Sequence, residues 1–475
     1  MSKRNQNYTN RKQNRFQPER MRGTVFVNNS GKQWLPGENV RAAKVERLLR
    51  GTKEKKKEIA GNMAGDKDSG IEYIGQIPKD WEVLRLKNIS DIYAAKEGLF
   101  GEWPVEKNGK PYSPFGEWSS GNEVIITGRV GTIGQYEMLE KNPKKKILIN
   151  DNRLLIFPFT EDYRKKALSH FLFWAMAIVN LNDIITGSAV PLITATSLLK
   201  KRIVVPPLHE QQRIADFLDT KCDILDRTID AVSRQIEELE KYKKALITKT
   251  VTKGICKKGE PERAMKDSGV EWIGEVPEEW SVSKVKYNFS TFKKIPGKES
   301  EKYERLSLTM NGVKHREKWT AEGLQPKDFM SYQLLRKGDL VFRLIDLQNP
   351  SKSRRVALSH DTGLISPAYT ILHADNNKML PEYAEMFFLM MSYLDVFNAL
   401  GSCGVRSSIN NAELMKISVL VPPLAEQQQI ADYLDEKCKN INNRVQKRRQ
   451  QLEWLKKYKK SLIFDYVTGK KRVEK

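Results

Sequence analysis

"PPLHEQQRIADFLDTKCDIL" spans residues 206–225, and "PPLAEQQQIADYLDEKCKNI" spans residues 422–441. Another repeated stretch precedes each of these two: "KDSGIEYIGQIPKDW" begins at Lys67, and "KDSGVEWIGEVPEEW" begins at Lys266. Each half of the chain therefore has an opening anchor, a variable body, a Pro-Pro junction and a long charged segment. This order indicates an internal duplication whose two bodies have diverged.

The segment after each Pro-Pro pair has the apolar spacing of a long helix. Apolar residues recur at alternating spacings of three and four over several heptads, which is the pattern of a coiled coil. The preceding prolines are compatible with a helix start, since the first turn does not use their missing N–H. We predict helices near 209–253 and 425–468, with this seam: Ile214, Leu218, Cys222, Leu225 and Ile229 in the first, and Ile430, Leu434, Cys438, Ile441 and Val445 in the second.

A single helix of this length with one apolar stripe is not stable alone in water. The nearest partner for each helix is the other copy, and a whole domain separates them, so they can pack antiparallel around an approximate two-fold axis. The predicted fold is α/β, with two globular domains alternating with two long antiparallel coiled-coil helices. The expected divisions are a basic extension (1–66), a first domain (67–208), a first helix (209–255), a linker (256–266), a second domain (267–424) and a second helix with its tail (425–475).

Composition narrows the class of partner. The 475 residues carry a net charge of +23, which points to a polyanion, with nucleic acid ahead of an anionic membrane. No apolar run is long enough to cross a membrane and no signal peptide is evident, so we expect a cytoplasmic protein. Four cysteines without a C-x-x-C pair indicate neither a zinc site nor a disulfide framework.

The chain resembles the specificity subunit of a type I restriction-modification enzyme, in which two target-recognition domains alternate with two helical regions. Nearly everything from Lys67 onward is covered by the motifs in the family's order: the opening Ser-Gly-x-Glu-x-Ile-Gly-x-x-Pro-x-x-Trp of Ser69 and Ser268, and the Pro-Pro segments that end in the Tyr-Lys-Lys of Tyr242 and Tyr458. The motif residues are Pro206, Pro207, Glu210, Gln211, Gln212, Ile214, Ala215 and Leu218, with Pro422, Pro423, Glu426, Gln427, Gln428, Ile430, Ala431 and Leu434.

The resemblance implies a bipartite double-stranded DNA site, with one half read by each domain and the gap set by the helices. It also implies that modification (methyltransferase) and restriction (translocase and nuclease) subunits dock on this chain. S-adenosylmethionine, ATP and Mg²⁺ would bind those partners rather than this chain. The assembled complex would be a site-specific deoxyribonuclease and a DNA adenine methyltransferase.

The residues themselves show no methylase Asn-Pro-Pro-aromatic motif, no phosphate loop and no convincing nuclease carboxylate cluster, which favours a non-catalytic subunit with no metal site. Two alternatives remain. One is a self-contained methylase-nuclease with unrecognised chemistry. The other is a basic coiled-coil scaffold that binds nucleic acid without sequence preference. The two bodies differ in sequence, whereas the segments that connect them are alike. This difference favours a protein that reads DNA sequence over a scaffold.

Basic residues in glycine-rich or turn-forming stretches are the candidate DNA contacts. Glycines around Arg129 in "TGRVGTIG" would let the backbone approach a phosphate, and "NPKKK" and "NPSKSRR" are charged turns that could enter a groove. The candidates are Arg129, Lys144, Lys145, Lys146, Arg153, Arg343, Lys352, Arg354, Arg355 and Arg406.

Three features have competing interpretations. Residues 1–66 contain sixteen Lys or Arg and six Asp or Glu, and are either a largely disordered tail or an arm that grips phosphate or a partner. Trp81 and Trp280 either anchor a strand in a core, which we favour, or stack on bases. The Glu-Gln-Gln triplets either favour the helix dipole in the first turn or contact the opposite helix or a partner subunit.

Overall fold

A computed structural model describes residues 66–95, 99–100, 105–107, 110–112, 123–140, 148–149, 152–158, 168–187, 190–255, 259, 263–317, 329–347, 354–401 and 407–474. The prediction for the N-terminal extension falls almost entirely outside these residues. The chain divides into two compact units, Met1–Trp81 and Glu82–Lys475. In the first unit, β1 (Asp66–Asp68) pairs antiparallel with β2 (Gln76–Pro78).

The second unit begins with a body that we call the first body, residues 82–205. Its centre is a four-stranded sheet in the order β4-β11-β8-β9, antiparallel throughout. Two helices, α1 (Ser169–Met176) and α2 (Ala195–Leu199), follow the sheet in the chain. The strands are β3 (Glu82–Arg85), β4 (Ser90–Ala94), β5 (Leu99–Phe100), β6 (Val105–Lys107), β7 (Lys110–Tyr112), β8 (Glu123–Gly128), β9 (Tyr136–Glu140), β10 (Leu148–Ile149), β11 (Arg153–Pro158) and β12 (Arg202–Val205).

The long helix α3 (Leu208–Lys253) follows the first body and leads to the second body, residues 265–421. Helices α4 (Val285–Asn288), α5 (Pro381–Tyr393), α6 (Val396–Leu400) and α7 (Asn411–Lys416) belong to this body. Its strands are β13 (Met265–Asp267), β14 (Glu275–Pro277), β15 (Ser281–Lys284), β16 (Phe289–Ser290), β17 (Arg305–Thr309), β18 (Gly312–Arg316), β19 (Gln333–Leu335), β20 (Leu340–Phe342), β21 (Val356–Leu358), β22 (Gly363–Ile365), β23 (Thr370–Ala374) and β24 (Ser418–Val421).

The two bodies share one sheet topology. The order β16-β23-β20-β21 in the second body matches β4-β11-β8-β9 in the first, because each places the four strands as first, fourth, second and third along the chain. The second body also contains a four-stranded sheet in the order β18-β17-β22-β19. Its side chains include a separate apolar cluster around Leu308, Val341 and Ile371. The two bodies therefore share the strand order of this four-stranded sheet.

Each body closes on a pair of strands from its two ends. Strand β3 pairs antiparallel with β12, and β15 pairs antiparallel with β24. The Pro-Pro pair comes directly after the closing strand, and Pro207 and Pro423 precede the first residues of α3 and of α8 (Leu424–Val467). The observed helices begin one residue earlier than the bounds predicted near 209 and 425. Trp81 and Trp280 are both fully buried, as expected if each anchors a strand in a core.

Helices α3 and α8 pack side by side and run in opposite directions. Lys243 Nζ donates a hydrogen bond to Asn442 Oδ1 at 2.8 Å, whereas Lys459 Nζ donates to Asp226 Oδ2 at 2.6 Å. Residue numbers thus rise along α8 as they fall along α3. Between these pairs lies an apolar cluster made of Val232, Ile236 and Leu455, with Leu225, Ile229, Val445 and Leu452 packed against it.

Six of the ten predicted seam residues lie in two different environments. Leu225, Ile229 and Val445 contact the cluster between the helices. Ile430, Leu434 and Cys438 instead belong to the core of the second body, together with Ile247 and Val251 near the end of α3. Ile214, Leu218, Cys222 and Ile441 are buried. A heptad pattern reports which face is buried but not what covers it, so the sequence could not separate the two groups.

In the part of the chain that the structure describes, no helix combines the length and apolar character that a membrane span requires.

Candidate nucleic-acid interface

Two loops meet at one edge of the first body. The turn after β8 carries Arg129, whose backbone N–H donates to Asn152 O at 2.7 Å and whose carbonyl accepts from Ile193 N at 3.0 Å. A bridge between Val130 and Leu192 joins the same segments. The turn after the second strand of the sheet is thus held against the segment that leads into α2. We call residues 128–135 and 190–193 the first loop edge.

The second body repeats this juxtaposition. Leu344, two residues after β20, accepts a hydrogen bond from Ile409 N at 3.0 Å, and Leu347 N donates to Ser407 O at 3.1 Å. Residues 343–347 and 407–409 form the second loop edge. In both bodies the incoming segment ends at a capping box, formed by Thr194 before α2 and by Asn410 before α7. The cap fixes where the loop stops and the helix starts, which aligns the loop with the edge.

Glycines shape the turn of the first loop edge. A Cβ on Gly128 would overlap Thr132, so only glycine fits where the turn folds back. Gly131 and Gly134 have φ values of +75° and +77°, in the left-handed region that favours glycine. Arg153, which pairs with Gly128 across the sheet, extends Nη1 to 3.4 Å from Thr132 Oγ1. Arg129 and Arg153, both predicted from sequence, therefore lie at this turn.

Two predicted arginines, one within the second loop edge and one bonded to it, are buried. Arg343 and Arg355 are 7% and 8% exposed. The Arg355 guanidinium donates hydrogen bonds to the carbonyls of Ile345 at 3.1 Å and Asp346 at 3.2 Å, and also to that of Leu347. Asp346 has a φ of +49°, so the guanidinium supports a turn with unfavourable backbone geometry. This gives Arg355 a structural role that the sequence did not indicate.

Arg354 points to a buried carboxylate. Its Nη1 lies 3.3 Å from Oε1 of Glu385 on α5, and its backbone N–H donates to Thr309 O at 3.2 Å. Burial raises the pKa of Glu385 above its usual value, although the charge of Arg354 opposes the shift. Predicted contacts Lys144, Lys145, Lys146, Lys352 and Arg406 lie outside the described residues. Arg406 directly precedes Ser407 of the second loop edge in the chain.

Apart from Arg406, the sequence-based candidates include no residue of the incoming segments of the two loop edges. One signal could have identified these segments: "TGSAVPLIT" and "LGSCGVRSSIN" both place Gly-Ser shortly before a Thr or Asn that starts a helix.

The triplets after each Pro-Pro pair attach the long helices to their own bodies. The middle glutamines, Gln211 and Gln427, are 1% and 0% exposed and bond to backbone groups of the first and second body, respectively. Glu426 accepts two hydrogen bonds from the guanidinium of Arg263 and one from the indole of Trp280. Hydrogen bonds to Glu426 raise the pKa of Arg263 above its usual value. These contacts of Gln211 and Gln427 with their own bodies were not among the interpretations drawn from the sequence.

A histidine joins the first body to α3. His170 on α1 lies between Asp219 of α3, at 2.6 Å from Nδ1, and Glu123 of β8, at 3.0 Å from Nε2. The indole of Trp174 donates to the other oxygen of Asp219 at 2.7 Å. Partial burial alone would lower the pKa of His170, but the hydrogen bond and charge of Asp219, with those of Glu123, outweigh it and raise the pKa.

Known proteins resemble this chain in sequence and in fold. The family model described as "Type I restriction modification DNA specificity domain" matches residues 78–241 and 368–453, more than half of the chain. The type I restriction enzyme MjaVIII specificity subunit of Methanocaldococcus jannaschii is 24% identical over 430 residues, which cover 84% of this chain and 95% of the relative. A solved chain from work on complex assembly and conformational transition of the type I R-M system has a TM-score of 0.50 at 14% identity, covering 83% of this chain and 99% of that one. That likeness is one of fold.

Proposed function

This chain belongs to the family of type I restriction-modification DNA specificity domains, and on that basis we propose that it reads a bipartite double-stranded DNA site for a type I restriction-modification complex. The observation that carries the proposal is the duplication of a whole reading unit. Two bodies with the same sheet order each present a loop edge, and each is attached to one of two antiparallel helices. A bipartite site needs two such edges held at a fixed separation.

The separation follows from where each body contacts α3. The first body contacts Gln211 and Asp219 near the start of the helix, and the second body packs on Ile247 and Val251 near its end. At 1.5 Å per residue, Gln211 and Val251 are about 60 Å apart along the helix axis. The bodies thus attach at opposite ends of the helix pair. We propose that α3 and α8 act as a coiled-coil spacer that relates the two halves of the chain by an approximate two-fold axis. This spacer would set the length of the DNA gap between the two half-sites.

We propose that bases are read at the two loop edges, with Arg129 and Arg153 among the contacts of the first. Such residues supply phosphate contacts that set register and base contacts that specify sequence. The net charge of +23 supports a polyanionic partner. Buried arginines such as Arg355 would then shape the edge from behind, because their guanidinium groups are already engaged by backbone carbonyls.

The helix pair also has an exposed face for other subunits. Trp454 and Tyr458 on α8, 40% and 37% exposed, stack with ring centroids 5.1 Å apart and an interplanar angle of 7°. Exposed aromatic groups of this kind are typical anchors of protein interfaces. We propose that modification subunits dock on the helices and that restriction subunits join the assembly. S-adenosylmethionine, ATP and Mg²⁺ would be bound by those subunits, and methylation and cleavage would be their chemistry.

Selection of bound fragments from random duplex DNA by the reconstituted complex tests this function. The expected result is two short words separated by a gap of constant length. A basic scaffold without sequence preference, the alternative function, would return fragments with no shared word. The relatives' family and the two unlike bodies favour the first outcome.

A further inference from the structure

We propose that Gln211 and Gln427 are positioning residues for base reading, each setting the angle of one body on its long helix so that each controls one half-site alone. This inference rests on the proposed function and goes further by assigning residues that determine specificity without touching DNA. It begins from a contact that is the same in both halves of the chain and involves a fully buried polar side chain in each.

The Gln427 side chain bonds to three backbone groups, two of them just before α5 and one just before α8. Its Oε1 accepts from Leu380 N at 2.8 Å, and its Nε2 donates to the carbonyls of Lys378 and Pro422, both at 2.8 Å. Leu380 is the residue before α5, and its own side chain provides no cap. A glutamine of the long helix thus caps the main helix of the second body. Because the amide both donates and accepts in fixed directions, it restrains the angle between the two helices.

Gln211 makes the equivalent contact in the first body. Its Oε1 accepts from Leu168 N at 2.9 Å, and its Nε2 donates to Pro206 O at 2.9 Å. Leu168 precedes α1 and, like Leu380, has no side-chain cap of its own. Both glutamines occupy the fourth position of their helices, since α3 starts at Leu208 and α8 at Leu424. The same device therefore positions both bodies.

The capped helices lead to the loop edges. In the second body, Phe388 of α5 packs edge-on against Phe342, with ring centroids 4.9 Å apart, and Phe342 directly precedes Arg343 of the second loop edge. In the first body, His170 of α1 contacts Glu123 of β8, the strand that ends at Gly128 of the first loop edge. A rotation of either capped helix would move its edge relative to the spacer. Base reading is sensitive to such a shift, because a bidentate contact to a base edge requires fixed geometry.

Matched controls stand next to both residues. Gln212 and Gln428 are exposed, and each donates a hydrogen bond to an aspartate four residues later on its own helix, Asp216 at 2.7 Å and Asp432 at 2.8 Å. They share residue type and helix with the proposed positioning residues, but their amide groups bond to a side chain of their own helix. Gln→Met at each position keeps the length of the side chain and removes its amide.

The experiment uses the reconstituted complex and the duplex word recovered by selection from random DNA. Dissociation constants are measured for the selected duplex and for two altered duplexes. One altered duplex has a base pair replaced in the first half-site, and the other has a base pair replaced in the second half-site. The ratio of constants gives discrimination at each half-site, and a loss of folded protein cancels in this ratio. Q211M is expected to lower discrimination at one half-site by about tenfold, comparable to one lost base contact, and Q427M at the other. Q212M and Q428M should leave both ratios unchanged.

Equal loss at both half-sites, or unchanged ratios in Q211M and Q427M, would overturn the proposal. Where a methionine variant does not fold, Q211N and Q427N carry the same test, because the shorter amide cannot reach the same partners. The proposed function fails separately: in that case the wild-type complex itself shows no discrimination between the selected and the substituted duplexes.

Discussion

The indole nitrogen of Trp280 donates a hydrogen bond to Oε2 of Glu426 at 2.8 Å, across 146 positions of the chain. The same carboxylate accepts from Arg263, and Gly254, where α3 ends with a φ of +77°, packs beside them. A Cβ at Gly254 would lie 2.7 Å from Arg263 and 2.9 Å from Glu426. The end of α3, the opening anchor of the second body and the first turn of α8 therefore meet at one carboxylate.

Glu426→Gln should destabilise the protein, because Arg263 and the Trp280 indole would lose a charged acceptor that is only 17% exposed. We expect a loss of about 1–3 kcal/mol in the free energy of unfolding, measured by urea denaturation followed by circular dichroism. Glu436→Gln is the matched control, since Glu436 is 68% exposed and lies 3.7 Å from Lys437. An exposed pair of this kind contributes about 0–1 kcal/mol. Equal effects of the two substitutions would contradict the role of Glu426.

Leu455→Asp should be far more damaging than the same substitution at an exposed position five residues away on α8. Leu455 is 4% exposed in the cluster between α3 and α8, so an aspartate there would be a buried charge without a partner. We expect the loss of about 3–5 kcal/mol in stability, or an insoluble chain. Gln450→Asp introduces the same charge at an exposed position of α8 and should melt close to wild type. Similar melting of both variants would show that the helices are not packed together in solution.

The His170 junction should contribute a pH-dependent part of the stability. The pKa of His170 is raised in the folded protein, so its stabilising effect is complete below the unfolded value of 6.5 and is lost as pH rises through the folded pKa. His170→Gln should therefore cost more at pH 5 than at pH 9. The measurement is the difference in unfolding free energy between wild type and variant across that range. Because the imidazole is 38% exposed, we expect the difference in unfolding free energy to be modest. A cost of the substitution that increases with pH would contradict the role of His170 at this junction.

Two arginines predicted as DNA contacts should behave in opposite ways. Arg355→Ala removes the donor that holds the carbonyls of Ile345 and Asp346, so we expect a lower melting temperature of the free protein. Arg129→Ala, at the turn of the first loop edge, should leave melting nearly unchanged and weaken DNA binding by the reconstituted complex. A uniform loss with a salt dependence shallower by about one charge would indicate phosphate contact, and a loss at one position would indicate base contact. Unchanged binding by Arg129→Ala would remove this residue from the interface.

Much of the helical frame could be predicted from sequence, because a long apolar stripe with proline at its start is a local signal. The predicted starts of α3 and α8 differ from the observed ones by one residue. The partner of each seam residue could not be predicted, since Ile430 and Val445 carry the same pattern but pack against the second body and the opposite helix, respectively. The role of Gln427 was also hidden, because its partners Lys378 and Leu380 are distant in sequence.

The bodies were less predictable for a physical reason. Their strands are two to six residues long, and a short apolar run fits a strand or a buried helix equally well. The sheet β18-β17-β22-β19 left no distinctive signal in the sequence. Sequence also cannot show whether an arginine is solvated, so Arg355, which bonds to backbone carbonyls, and Arg129 received the same prediction.

Lengthening the spacer tests most directly whether two bodies read one bipartite site. Duplicating residues 226–232 after Val232 and residues 446–452 after Leu452 adds one heptad to both helices within a single apolar cluster. The added length is about 10 Å at 1.5 Å per residue, or about three base pairs at 3.4 Å each. Fragment selection by the reconstituted complex should return both words of the wild type with a gap longer by about three base pairs. Unchanged gap length in a folded variant, or altered words, would contradict the account.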